Sequence, residues 1–213
     1  MSAPVSETVA IRTPDGGSVT ICSFCTVDQI RGYKFDAQFS AHAQYKSLYT
    51  KRSSLEACAA LADANVTVAL AAGDRIVGFG ALVPPEPDER WAAMGTGAIM
   101  EVKAVEVGRS WRRTGIARAI LQLLMTHPLL EELIIYMVGY SWTWDLDGEG
   151  LNAAEYRQKL IALFSRFDFL ELPTNEPNVA LRPENLFMSR IGARVSAERQ
   201  QQFKWLRFGI EGY

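Results

Sequence analysis

The chain has 213 residues, 48% hydrophobic and 22% charged, a balance that suits one globular domain with a real core and excludes a disordered chain. Its formal charge is −2, with no dense Lys/Arg run, so nothing is present to neutralise a nucleic-acid backbone. No apolar stretch approaches the ~20 residues of a membrane span, and residues 1–14 lack the basic-then-apolar order of a secretory leader; a cytoplasmic setting is expected.

In chain order, a turn at Pro14-Asp15-Gly16-Gly17 precedes a first strand over 19–24. Cys22 and Cys25 fall within or beside it, and residues three apart on a strand face opposite sides. With Cys58 they make three, which cannot all pair, so buried free thiols are expected rather than a redox pair. Residues 27–49 read as one or two short helices. Ser53-x-x-Glu56 has the form of a capping box, opening a helix to about Ala64. Strands over 66–71 and 76–83 flank Gly73-Asp74 as a hairpin, and Pro84-Pro85-Glu86-Pro87 loops towards Trp91. His42 and His127 have no ligand cluster beside them, so no metal is expected.

The next segment is the most informative. Residues 98–107 alternate like a strand, and a turn then leads to Ile116, Ile120, Leu123 and Leu124 at helical spacing. A strand, a small-residue turn and a helix N-terminus make an anion site, because the first helical N–H groups lack partners and the helix dipole is positive there. Gly115 and Ala117 leave room for a phosphate to approach the backbone, and Arg112 and Arg113 add charge. The alternative is plain architecture. No Gly-x-x-x-x-Gly-Lys-Ser/Thr and no Gly-x-Gly-x-x-Gly follows a strand, which removes the P-loop and dinucleotide readings.

Beyond it, 133–140 reads as a strand and 145–150 as a loop. Asn152 and Glu155 open a helix with the stripe Tyr156, Leu160, Leu163, Phe164 and Phe167. A strand near 169–172 follows, then two closing helices, 183–191 stopped by Gly192 and 196–208. The whole is a mixed α/β layer with one parallel crossover around the central helix.

The order strand, Arg-x-x-Gly-x-Ala, helix resembles the acetyl-coenzyme A (acetyl-CoA) motif of the GNAT superfamily of N-acetyltransferases. The resemblance implies an α+β domain with a mostly antiparallel central sheet flanked by helices. The single domain would span 1–213, with a core over 19–172 and a helical extension over 173–213. It also implies that Val105, Glu106 and Val107 line the pantetheine arm, and that Arg112, Arg113, Thr114, Gly115, Ile116 and Ala117 hold the diphosphate of acetyl-CoA. Arg113 stands where that family usually has Gly. Glu101, eleven positions before Arg112, matches the general base of lysine-acetylating members, which must deprotonate an ammonium of pKa about 10.4. The alternative for Glu101 is a solvated strand-end charge. Glu106 falls on the opposite face. The usual tyrosine proton donor is replaced by Phe164, leaving Tyr140, Tyr156 or Ser165 as substitutes, or departure of the thiolate without a donor. Arg157 stands where an Asn is common.

Trp142-Thr143-Trp144-Asp145-Leu146, Gly150-Leu151-Asn152 and Glu155-Tyr156-Arg157, with Glu89-Arg90-Trp91 and Met188-Ser189-Arg190-Ile191-Gly192, resemble the bacterial acetoin-utilisation (AcuA) family. That similarity implies a protein lysine acetyltransferase acting on acetyl-CoA synthetase. Trp142, Trp144 and Asp145 would then form an acceptor-lysine channel, aromatic walls on the stem and a carboxylate for the ammonium; alternatively both Trp are core and Asp145 caps a turn. Two other functions stay open. One is acetylation of a small cationic amine, with Asp145, Asp147 and Glu149 supplying acid; the other is a non-catalytic acyl-CoA sensor. Burial of Glu101 away from any cleft would favour the sensor, a deep closed pocket the small amine and an open groove the protein.

Overall fold

The computed structural model describes residues 6–14, 16–41 and 50–210; Asp15, His42 and the end of the expected 27–49 helical region lie outside them. Contacts divide the chain into two compact units, Met1–Val83 with Val102–Pro128, and Pro84–Glu101 with Leu129–Tyr213.

In the first unit β1 (Thr8–Arg12) and β2 (Ser18–Cys22) form an antiparallel hairpin. The sequence reading had only its second strand, because β1 is short and almost wholly exposed. Helix α1 (Val27–Gly32) starts at a complete capping box, Thr26 with Gln29. Strand β3 (Lys34–Phe35) and the single turn α2 (Gln38–Ala41) follow. Helix α3 (Arg52–Ala59) corrects the expected Ser53 box: Lys51 is the N-cap, with no side-chain cap, and the helix ends five residues before Ala64. Ser53 already lies inside the first turn, while the Glu56 carboxylate is drawn to the Nε atoms of Arg52 (2.9 Å) and Arg31 (3.4 Å). Cys25 and Cys58 are buried free thiols and Cys22 is half-buried.

Strands β4 (Asn65–Ala71) and β5 (Arg75–Val83) form the expected hairpin. The register steps from Ala69↔Gly78 to Leu70↔Ile76, leaving Val77 as the extra residue of a bulge. An extra residue reverses the parity of a strand. Ile76 therefore joins Phe79, Ala81 and Val83 in one core with Leu55, Val66 and Val68. Gly78 and Gly80 face the other way. Strand β6 (Ile99–Val107) contributes its last six residues to this unit, and α4 (Ile116–Leu124) packs against β5 and β4. A Cβ on Gly80 would lie 2.5 Å from Ile120 Cγ2 and 2.9 Å from Leu124 Cδ1, so hydrogen-only positions set how closely α4 approaches.

In the second unit the first three residues of β6 pair in parallel with β7 (Ile134–Gly139), as expected around the α4 crossover. The ladder ends at Glu101↔Tyr136. Residues 145–150 are not a loop: α5 (Leu146–Glu149) is a short helix capped by Asp145, whose Oδ1 accepts from Gly148 N at 3.1 Å. Helix α6 (Ala153–Phe164) begins at the expected Asn152–Glu155 box. Strand β8 (Leu170–Glu171) and the turn α7 (Pro177–Ala180) come next. The expected helix over 183–191 is instead β9 (Leu186–Ile191), paired antiparallel to both β7 and β8, so the C-terminal extension is not purely helical. A short apolar run fits a buried strand as well as a helix, and tertiary pairing decides. Gly192 is no helix stop; a Cβ there would sit 2.4 Å from the Glu131 backbone. Helix α8 (Ala197–Arg207) is capped by Ser196. This unit's core gathers Trp91, Ile99, Ile134, Tyr136, Phe187 and Phe203.

Candidate active site

The turn between β6 and α4 is built by a chain of local bonds. Val77, released from its ladder by the bulge, accepts from Gly108 N at 2.9 Å. A 3-10 turn over Arg109–Trp111 follows, with Ser110 N held by Gln38 Oε1 at 2.9 Å. Arg112 folds back, its Nε donating to Val107 O at 3.1 Å, and Thr114 Oγ1 donates to Trp111 O at 2.6 Å. Arg112 thus shapes the turn as well as charging it. Arg113 is exposed and left-handed, with φ +63°, a conformation glycine adopts without penalty; this is the physical reason a Gly is common there.

Gly115 is the N-cap of α4 at φ +89°, and no side chain caps the helix. The first helical bond is Ala119 N to Gly115 O, so the N–H groups ahead of it point out of the helix end. A Cβ on Gly115 would meet nothing within 4 Å, so the space before these groups is open. Ala117 is half-buried and Ile116 fully buried. Val105 and Glu106 are half-buried and Val107 buried on the same strand.

In the second unit, Glu101 lines a pocket of about 190 Å³ with Glu89, Arg90, Trp91, Tyr136, Val138, Tyr140 and Glu176. Tyr136 is 1% exposed and its ring lies 5.1 Å from Trp91 and 5.9 Å from Phe187. Its hydroxyl donates to Glu89 Oε2 at 2.9 Å. Burial, then the charges of Glu101 and Glu89, push its ionisation far above the ordinary range. Burial, then Glu176, Glu101 and Glu89, push the Tyr140 hydroxyl up to about 12. Both phenols are therefore neutral in a pocket lined by three carboxylates and one guanidinium. Glu176 is engaged as the cap of α7, accepting from Val179 N at 2.9 Å and Asn178 Nδ2 at 3.1 Å.

The residues expected to form an acceptor channel divide. Trp142 is 41% exposed, stacked on Tyr140 at 4.8 Å and overlain by Arg182 at 5.2 Å. Trp144 and Asp145 turn inward, as in the packing-and-capping alternative. Trp144 stacks on Tyr156 at 5.2 Å and would touch a Cβ on Gly139, and Asp145 is 2% exposed as the α5 cap. Glu149 is buried and paired with Lys159. Phe164 is 2% exposed, edge-on to Phe169 at 5.2 Å. Arg157 pairs with Glu171. Tyr136 and Glu176 escaped sequence reasoning: nothing local marks a strand tyrosine or a capping carboxylate as pocket residues. Glu89 was visible only as part of Glu89-Arg90-Trp91.

Comparison with known proteins fits this geometry. The acetyltransferase (GNAT) family model matches residues 32–138. Acetoin utilization protein AcuA of Bacillus subtilis strain 168 and that of Bacillus licheniformis are each 29% identical over 192 residues, 90% of this chain and 90% of theirs. The crystal structure of an acetoin utilization protein from Exiguobacterium sibiricum 255-15 superposes with a TM-score of 0.87 at 27% identity, covering 98% of this chain and 96% of that one. The mixed, mostly antiparallel strands with the parallel β6–β7 pairing are thus those of the GNAT fold, and the chain belongs to the GNAT family of acetyltransferases, which makes it an acyltransferase.

Proposed function

We propose that the chain moves the acetyl group of acetyl-CoA to a lysine amine of a protein, with acetyl-CoA synthetase as the candidate acceptor. The observation that carries this reading is Glu101 lining a pocket with two neutral tyrosines and two further carboxylates. A negative pocket attracts an ammonium, and a carboxylate there can take its proton, directly or through water. Acetyl-CoA supplies the activated thioester. The open, uncapped start of α4 suits its diphosphate, held by backbone N–H groups from Gly115 onward and by the charges of Arg112 and Arg113. Val105, Glu106 and Val107 would run beside the pantetheine arm. Phe164 offers no proton to the departing sulfur, but a thiol of pKa near 8.5 leaves as a fair thiolate. The placement of Glu101 on a pocket argues against the sensor reading.

Three carboxylates around one pocket also suit a small polyamine, which is the second reading. Incubation with acetyl-CoA and either purified acetyl-CoA synthetase or spermidine, followed by mass spectrometry, separates the two. Stoichiometric acetylation of one synthetase lysine supports the first. Faster acetylation of spermidine overturns it in favour of the second.

A further inference from the structure

Tyr136 stands between two carboxylates with different surroundings. It is the register partner of Glu101 across the β6–β7 ladder. Its hydroxyl donates to Glu89 at 2.9 Å. The ring cannot swing away, because it is 1% exposed and packed against Trp91 and Phe187. Burial and the two flanking charges keep the phenol protonated. A phenol that always donates fixes one oxygen of Glu89 and so orients the carboxylate on the pocket wall. Glu89 starts the 3-10 turn over Arg90–Met94, and its neighbour Arg90 is held elsewhere, donating from Nη1 to Asn175 Oδ1 at 2.6 Å and Leu206 O at 3.2 Å. Glu176, the third pocket carboxylate, is engaged with the start of α7.

We infer that Glu89 is the residue that binds and orients the acceptor ammonium, that Tyr136 is the positioning residue that holds Glu89, and that proton removal falls to Glu101 alone. This rests on the acceptor reading above and deepens it. The ammonium N–H proton passes to the Glu101 carboxylate, while Glu89 keeps its hydrogen bond from Tyr136. The neutral amine keeps the lone pair that attacks the thioester carbon; the C–S bond of the tetrahedral adduct then breaks, coenzyme A leaves as its thiolate, and the amide nitrogen sheds its second proton to that thiolate or to water. Binding and deprotonation thereby reside in different residues, so they separate in kinetics.

The test uses Glu89→Gln, which keeps the shape and can still accept from Tyr136, with Glu89→Asp and Tyr136→Phe beside it. In Glu89→Gln the acceptor KM should rise tenfold or more, with kcat changed less than threefold and acetyl-CoA affinity unchanged by calorimetry. Glu89→Asp, which keeps the charge, should recover part of that loss, and Tyr136→Phe should raise KM by a smaller factor. Glu101→Gln should show the opposite split. A second arm needs no turnover: n-pentylammonium titrated by NMR should perturb the pocket resonances of the intact protein and bind Glu89→Gln at least tenfold more weakly. Equal binding of n-pentylammonium by both proteins, or a kcat loss without a KM change, overturns the assignment. Should wild type acetylate neither acetyl-CoA synthetase nor spermidine while the titration still discriminates, the functional reading fails and the ammonium site stands. If Glu89→Gln does not fold, the same titration on Glu89→Asp and Tyr136→Phe decides, and unweakened binding in both is disproof.

Discussion

Glu101 occupies the last rung of the β6–β7 ladder, where regular pairing fixes its backbone and the pocket begins at its side chain. A carboxylate so placed has one testable duty. Glu101→Gln preserves shape but removes the proposed proton acceptor, so kcat should fall by ~10²-fold or more, about 2.7 kcal/mol of transition-state stabilisation, with acetyl-CoA binding intact. A mutant retaining the wild-type rate from pH 6 to 9 would reassign Glu101 to structure. Gly115 poses a subtler residue-scale question, since its φ of +89° strains any replacement. Gly115→Ala should therefore lose ~1 kcal/mol of stability yet keep most cofactor affinity, whereas Gly115→Glu should also weaken acetyl-CoA tenfold or more, ~1.4 kcal/mol, because negative bulk enters the open space. Calorimetry on the two folded variants distinguishes strain from obstruction, and equal losses would place the phosphate elsewhere.

At the scale of elements, α4 and the strand before it were legible because two periodicities meet across a turn with few side-chain demands. The helix buries Ile116, Ile120, Leu121, Leu123 and Leu124, each worth ~1.5–3 kcal/mol, and that stripe is plain in the sequence. What it packs on was not legible, since Gly78 and Gly80 carry meaning only once α4 lies on them. Gly80→Ala should destabilise the fold by about 1–3 kcal/mol, with Ile120 and Leu124 forced apart. A denaturant midpoint equal to wild type would show that the contact relaxes freely. The misread elements share a cause. Residues 186–191 form a strand because β7 and β8 offer pairing on either side, and Ser53 fails as a cap because Arg52 and Arg31 claim Glu56. Local pattern could not report partners distant in sequence. For the same reason Glu101 could be singled out only through the family resemblance at its distance from Arg112, while Tyr136, opposite it, could not; and Trp144 and Asp145 follow the packing-and-capping alternative.

Across the whole molecule, each unit has its own core, and acid sensitivity should arise from one buried ring in the first. His127 is 5% exposed, its Nε2–H donating to Asp63 O at 2.9 Å beside the Phe24 ring at 5.9 Å. Burial holds its pKa below the ordinary value, against the opposing pull of the Asp63 carbonyl and charge. A depressed histidine binds its proton more readily when unfolded. Its contribution is therefore full above about pH 6.5 and declines as pH falls towards the folded value. Urea midpoints should drop between pH 7.5 and 5.5, and His127→Gln should flatten that slope. The carboxylates lowered by partners, Glu131 and Asp74, titrate further down and leave this window clear; an unchanged slope in the mutant would refute the assignment. The bulge at Val77 has a consequence for which length changes the chain can survive. It acts as an anchor point. Deleting Val77 would close the ladder into regular pairing, with Ile76 still opposite Leu70 and still facing the core, but it would remove the carbonyl that anchors Gly108 before α4. Natural or engineered length variation should accordingly gather in the Pro84–Pro87 segment and avoid β5, however conservative the missing residue looks.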